Sequence, residues 1–250
     1  LDWLSKKTWR KEDELYSPKR KVNNKGSRNF PHIIGSIPSR KMERHIPYES
    51  LWGECLFYYL LELDPLTVRY YPQPVWVPYQ VMNSRFELEK KGHVLDTLVF
   101  RQGNPPHLYQ IKGGDIFVEQ QPHLYSACMN YCIKEGWGYS VVRPKLLPET
   151  VKRNIQLIMH YKQQREYYNI YIHEIMKKVA YFKDPTIEYL AKSFIAKVNV
   201  RDIIPLIYHL IFLGELKVDL LQPLDLFSKV SNGNLSQYLL PYFNMEGDIL

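Results

Sequence analysis

Three polar residues stand where apolar ones are expected. Asp96 lies in the run HVLDTLVF, and after the turn RQGNPP a second run, HLYQIKG, carries Gln110, Ile111 and Lys112. The third is Glu54, with Leu51 three residues before it, Phe57 and Tyr58 three and four after, and Leu61 seven after. Those spacings put Glu54 in the apolar stripe of a helix. A charge in such surroundings costs on the order of several kcal/mol unless something compensates it. The chemistry that wants these types together is metal-assisted phosphodiester hydrolysis. Glu54 and Asp96 would supply hard oxygens to Mg²⁺, with the Gln110 side-chain carbonyl and the Ile111 backbone carbonyl as further ligands. Lys112 would stabilise the transition state or orient the attacking water, whose pKa the metal lowers. Taken singly, each residue has a plainer reading: a strand Asp is more often structural, and a strand Lys usually reaches out to solvent. Glu, Asp and Gln-x-Lys together make the sharper pattern.

The surrounding segments must place these side chains. Successive strand residues alternate faces, so Val94, Asp96, Leu98 and Phe100 share one side, and Gln110 and Lys112 share another. The two runs read as a hairpin that brings Asp96 and Gln110/Lys112 to one end of a sheet. A helix is expected from Tyr48 to Leu63, ended by Asp64-Pro65. TVRYYPQPVWVPYQV reads as edge or bent strands because of Pro72, Pro74 and Pro78, and FELEKKGH as a polar connector. PHLYSACMNYCIKEG reads as a helix stopped by Gly136, GYSVVR as a strand parallel to a neighbour, and PETVKRNIQLIMHYKQQ as a helix. The fold class expected is α/β (α+β), a mixed sheet with helices packed on it, over residues 47–165. Residues 166–250 read as mostly helical. A helix, a turn, a second helix and then a strand-like LKVDL match the order of a winged helix. The helix NVRDIIPLIYHLIFLG is very apolar, however, which suits packing or protein contact better than base reading.

The net charge of +7 is unevenly placed. Residues 1–46 hold twelve Lys/Arg against five Asp/Glu, and the remainder holds 21 of each. A basic arm of this kind suits nucleic-acid phosphate. Its candidate DNA contacts are Lys6, Lys7, Arg10, Lys19, Arg20, Lys21, Arg40, Lys41 and Arg44. The bland alternative is a solubilising tail, against which stand Trp3, Trp9, Tyr16 and Phe30, since aromatics seek a surface. Cys55, Cys128 and Cys132 cannot all pair and lack zinc-site spacing, so they read as reduced packing residues. No apolar run approaches the roughly 18 residues of a membrane span, and no secretory leader is expected.

At these residues the sequence resembles the TnsA family, the endonuclease subunit of heteromeric cut-and-paste transposons, CRISPR-guided ones included. The family's core is restriction-endonuclease-like, of the PD-(D/E)xK type, and its last motif is typically Gln-x-Lys, matched by Gln110-Ile111-Lys112. Its Asp stands in Asp-x-Leu-Val, matched by Asp96-Thr97-Leu98-Val99. Its Glu lies on the preceding helix, matched by Glu54, and a further Gln is matched by Gln73. VKRNIQLI, Val151 to Ile158, is similar to the family's Val-Lys-x-Asn-Ile segment. The chain departs from the pattern in Lys112-Gly113-Gly114, where Lys-Pro is common, and in Leu95, where Pro often precedes the Asp.

The resemblance implies a Mg²⁺-dependent DNA endonuclease, with Mn²⁺ able to substitute, that cuts the 5′ (non-transferred) strand at transposon ends. It implies a TnsB-like transposase and a TnsC-like AAA+ ATPase as partners, no membrane, a winged-helix-like C-terminal domain, and a bacterial, cytoplasmic and nucleoid-associated setting. Two alternatives stay open. One is a free-standing restriction or junction-type nuclease of the same fold. The other is a non-catalytic DNA-binding or adaptor subunit.

Overall fold

The computed structural model of the protein describes residues 1–20, 33–82, 84–113 and 120–243. The chain divides into two compact units. One comprises residues 1–62, 66–146 and 242–250, and the other 63–65 and 147–241.

The first unit is built on a mixed four-stranded sheet of β3 (Thr67–Pro72), β6 (Thr97–Arg101), β7 (His107–Ile111) and β8 (Gly138–Val142), in that spatial order. The β3–β6 and β6–β7 pairs are antiparallel and β7–β8 is parallel, as expected for a hairpin followed by a strand entered from a helix. Side-chain alternation gives the sheet two distinct faces. On one face Tyr70 stacks on Tyr58 and Tyr109 meets Phe57, both from helix α2 (Leu56–Leu63). On the other, Leu98, Phe100, Leu108 and Tyr139 are buried. That face receives helix α3 (Pro122–Glu135), whose Leu124, Cys128 and Cys132 are buried and whose end is the left-handed Gly136. All three cysteines are free and buried, in keeping with a packing role.

The N-terminal residues are not a loose arm. Trp3 and Trp9 set their rings edge-on to Phe100, at 5.0 and 5.1 Å between centroids, and Tyr16 lies against Tyr71 and Trp137. The short helix α1 (Arg10–Leu15) brings Asp13 to Arg69, at 2.7 Å, and to the Tyr71 hydroxyl, at 2.9 Å. Further on, β1 (Gly35–Ser39) and β2 (Arg44–Tyr48) pair as a hairpin in a region expected to be irregular. The aromatic content, more than the charge, decides how this segment behaves.

Two other expectations need correction. The connector FELEKKGH is largely strand: β5 (Leu88–Val94) pairs antiparallel with β4 (Trp76–Met82) over the full length of both. The run HVLDTLVF is not one strand either. It breaks at Leu95 and Asp96, where Gln73 N–H donates to the Asp96 carbonyl at 2.7 Å and Leu95 N–H to that of Val75 at 3.1 Å.

In the second unit, helix α4 (Glu149–Met159) packs with residues C-terminal to it. Its buried Asn154 explains this. The amide donates to the carbonyls of Leu220 and Gln222 and accepts from Leu224 N–H, pinning that loop to the helix. Helices α5 (Tyr168–Phe182), α6 (Ile187–Lys192) and α7 (Val200–Leu213) come next, with a two-residue antiparallel pair, β9 (Leu216–Lys217) and β10 (Ser231–Asn232). The apolar α7 buries eight residues and is the core of this unit. Among the described residues no helix is long and apolar enough to cross a membrane.

Candidate active site

Glu54 and Asp96 meet at one cavity. It lies at the end of the sheet where β7 and β8 finish and β6 begins, has a volume of about 610 Å³, and is lined by Glu49, Ser50, Trp52, Glu54, Asp96, Ile111, Lys112 and Lys145 among others. Both carboxylates are otherwise buried, Glu54 at 6% and Asp96 at 8% exposure.

Glu54 reaches this place through a distortion of the helix. Residues Leu51–Cys55 form a π-helical turn, closed by Cys55 N–H donating to the Ser50 carbonyl five residues back at 2.9 Å, before α2 continues as a regular helix. Such turns carry one extra residue and occur often at functional sites. Ser50 caps the turn, its hydroxyl accepting from Gly53 N–H at 3.1 Å. Glu49 N–H donates to Glu54 Oε2 at 2.5 Å and fixes the carboxylate. Gly53 lies close to Ile111: a Cβ added there would sit 3.4 Å from Ile111 Cγ2 and 2.9 Å from the Ser50 hydroxyl.

Asp96 occupies the break between β5 and β6. Its Oδ2 accepts from Ile111 N–H at 2.6 Å and from the Gln110 side-chain amide. Gln110 is completely buried and does not line the cavity. Its Oε1, expected to face a metal, instead lies 2.8 Å from His93 Nε2. At Ile111 the backbone N–H is the group that engages Asp96. Lys112 comes directly after, held by its N–H to the Val142 carbonyl at 2.9 Å, and lines the cavity.

The electrostatics result from this burial. Desolvation, with repulsion from Asp96, pushes the Glu54 carboxyl well above its usual range. Burial also pushes Asp96 up, against the pull of Lys112, the Ile111 N–H and Arg20. Burial lowers the His93 imidazole and keeps it neutral. Two like charges repelling in a desolvated pocket make a place for a cation. Among the described residues no group of three or more His, Cys, Asp or Glu gathers to hold a metal. The chain therefore offers a carboxylate pair, which fits Mg²⁺, an ion that keeps several waters, and does not fit a closed zinc site.

The basic residues expected on DNA are variously placed. Lys6 pairs with Glu12, Arg10 with Glu14, and Lys19 Nζ donates to the Leu15 carbonyl. Lys41 Nζ donates to the Leu61 carbonyl. Among the described members of the set, Arg20 alone approaches the cavity, 2.6 Å from Glu49. Lys7, Arg40 and Arg44 are on the first unit away from the cavity lining, and Lys21 lies outside the described residues. Gln73 supports Asp96 from its backbone, in a left-handed conformation (φ 51°), with its buried Oε1 unpartnered.

Sequence reasoning missed His93, Glu49, Ser50 and Lys145. A signal existed for Ser50, a cap residue just before the helix. His93, three residues from Asp96 with the strand break between them, and Lys145, on the short 3₁₀ turn Pro144–Leu146, gave none. No protein-family model matches this chain, and no curated protein matches it in sequence.

Proposed function

We propose that this protein is a Mg²⁺-dependent DNA endonuclease with a restriction-endonuclease-like catalytic unit, as its resemblance to TnsA implies. The observation that carries the reading is the convergence of Glu54, Asp96 and Lys112 on one cavity, from a helix, a strand break and a strand end. Glu54 and Asp96 would hold the cation. When bound, the ion polarises the scissile phosphate and lowers the pKa of the attacking water. Lys112, beside Asp96, places a positive charge against the phosphate oxygens in the transition state. Arg20 and Lys145 add charge around the same opening.

The family reading adds the finer statement. The substrate is duplex DNA at transposon ends, the cut falls on the 5′ (non-transferred) strand, and the partners are a TnsB-like transposase and a TnsC-like ATPase. The helical second unit with its short β9–β10 pair is read as winged-helix-like, facing protein rather than DNA because α7 is buried in the core. The test is a strand-labelled transposon end incubated with Mg²⁺, with and without the transposase. Partner-dependent 5′-strand cutting is expected. Asp96→Asn or Glu54→Gln should lower the rate by ~10²-fold or more. Cutting without a partner points to a free-standing nuclease. Unchanged cutting by Asp96→Asn would sink the assignment of this cavity.

A further inference from the structure

Asp96 is not held by the cavity alone. Its Oδ2 takes two protein donors, the Gln110 side-chain amide and the Ile111 N–H. Gln110 is fully buried, so its amide has no water to turn toward. An amide group can present either its oxygen or its NH₂ to a neighbour, and the choice is set by what sits at its other end. Here that neighbour is His93 Nε2, 2.8 Å from Gln110 Oε1. The neutral imidazole has one N–H, and placing it on Nε2 makes the ring the donor, Oε1 the acceptor and the NH₂ the donor to Asp96. The chain of bonds runs one way, from β5 through β7 to the strand break.

We propose that His93 and Gln110 are positioning residues: His93 orients the Gln110 amide, which fills Asp96 Oδ2 and leaves Oδ1 to receive the divalent cation. This rests on the endonuclease reading, and it changes one part of it. Gln110 is then no ligand, although it occupies the position where a carboxylate often stands in sites of this type. Asp96 arrives with one oxygen committed and its rotation blocked, which is preorganisation of a ligand by its supporting shell.

The discriminating experiment measures Mn²⁺ binding to the full chain by the electron paramagnetic resonance signal of free Mn²⁺, alongside DNA cutting. His93→Ala should weaken Mn²⁺ binding by roughly three- to tenfold, the worth of one hydrogen bond. His93→Gln, whose amide can still donate, should recover most of the loss. The double variant His93→Ala/Gln110→Leu should be no weaker than Gln110→Leu, since both remove one relay. Gln110→Glu is the sharpest case. A ligand at this position would bind the cation more tightly with a charge added, whereas a positioning residue would set a carboxylate against Asp96 Oδ2 and weaken binding. Tighter Mn²⁺ binding by Gln110→Glu, or additive losses in the double variant, would overturn the relay while leaving the nuclease intact. A native chain that neither binds Mn²⁺ nor cuts DNA would remove the endonuclease reading and the relay with it. Thermal melting of each variant separates a folding defect from a loss of binding.

Discussion

At the residue scale, the chemistry rests on two carboxyls that burial holds partly protonated. Both folded-state pKa values are raised, so their contribution to folding is fully present below the ordinary carboxylate range. It is lost as pH rises through the raised values. Without divalent cations the protein should therefore lose stability as pH climbs from acid toward neutral and beyond. Mg²⁺ should restore it, because the ion binds the ionised pair. Glu54→Gln removes one of the repelling charges. It should flatten this slope and stabilise the metal-free protein at pH 8 by about 1–3 kcal/mol while slowing DNA cutting as stated above. Thermal melts across pH, with and without Mg²⁺, check this. An unchanged slope would mean that Glu54 is not the titrating group. The pair itself was legible in the sequence, because a carboxylate in an apolar stripe violates a pattern that reports burial. The relay behind it was not. Hydrogen-bond partners such as His93 and Gln110 come from different strands, and no spacing rule links them.

At the scale of elements, the π turn and the strand break do the placing. Ser50 satisfies the turn's orphan amide at Gly53, and the turn sets Glu49 N–H against Glu54. Ser50→Ala should cost about 1 kcal/mol, the usual worth of a cap, seen in urea unfolding, and should lower cutting more than stability. Equal loss of both would make the cap merely structural. Gln73 provides a second check. A β-branched residue is strongly disfavoured at φ 51°, so Gln73→Val should destabilise by about 1–3 kcal/mol. Helix and strand identities around the site were readable from periodicity and from Gly136. The distortions were not, because the π turn and the break at Leu95–Asp96 are fixed by backbone hydrogen bonds to Ser50, Gln73 and Val75, which apolar periodicity does not report. The β4–β5 ribbon was missed for a related reason: its exposed, Lys- and Glu-rich second strand owes its structure to the partner strand and not to its own composition.

At the scale of the whole molecule, positive charge is spread over both units. The first holds 21 Lys/Arg against 16 Asp/Glu, and the second 12 against 10. If all nine candidate cations of the arm neutralised phosphates, duplex binding would show a salt slope of about −8. Lys6, Arg10, Arg20 and Lys41 are already engaged with protein oxygens. The slope should accordingly be shallower, and fluorescence anisotropy over a salt series measures it. A slope near −8 would mean that the N-terminal segment leaves the sheet when DNA binds. The docking of Trp3, Trp9 and Tyr16 on Phe100 also has a consequence for biogenesis. During synthesis these rings emerge before the strand they cover has been translated. At about 5–20 residues per second they wait for several seconds, exposed and sticky. These rings thus stay uncovered until the strand they pack on has been made, and a holdase that covers aromatics during that interval should raise the yield of folded protein.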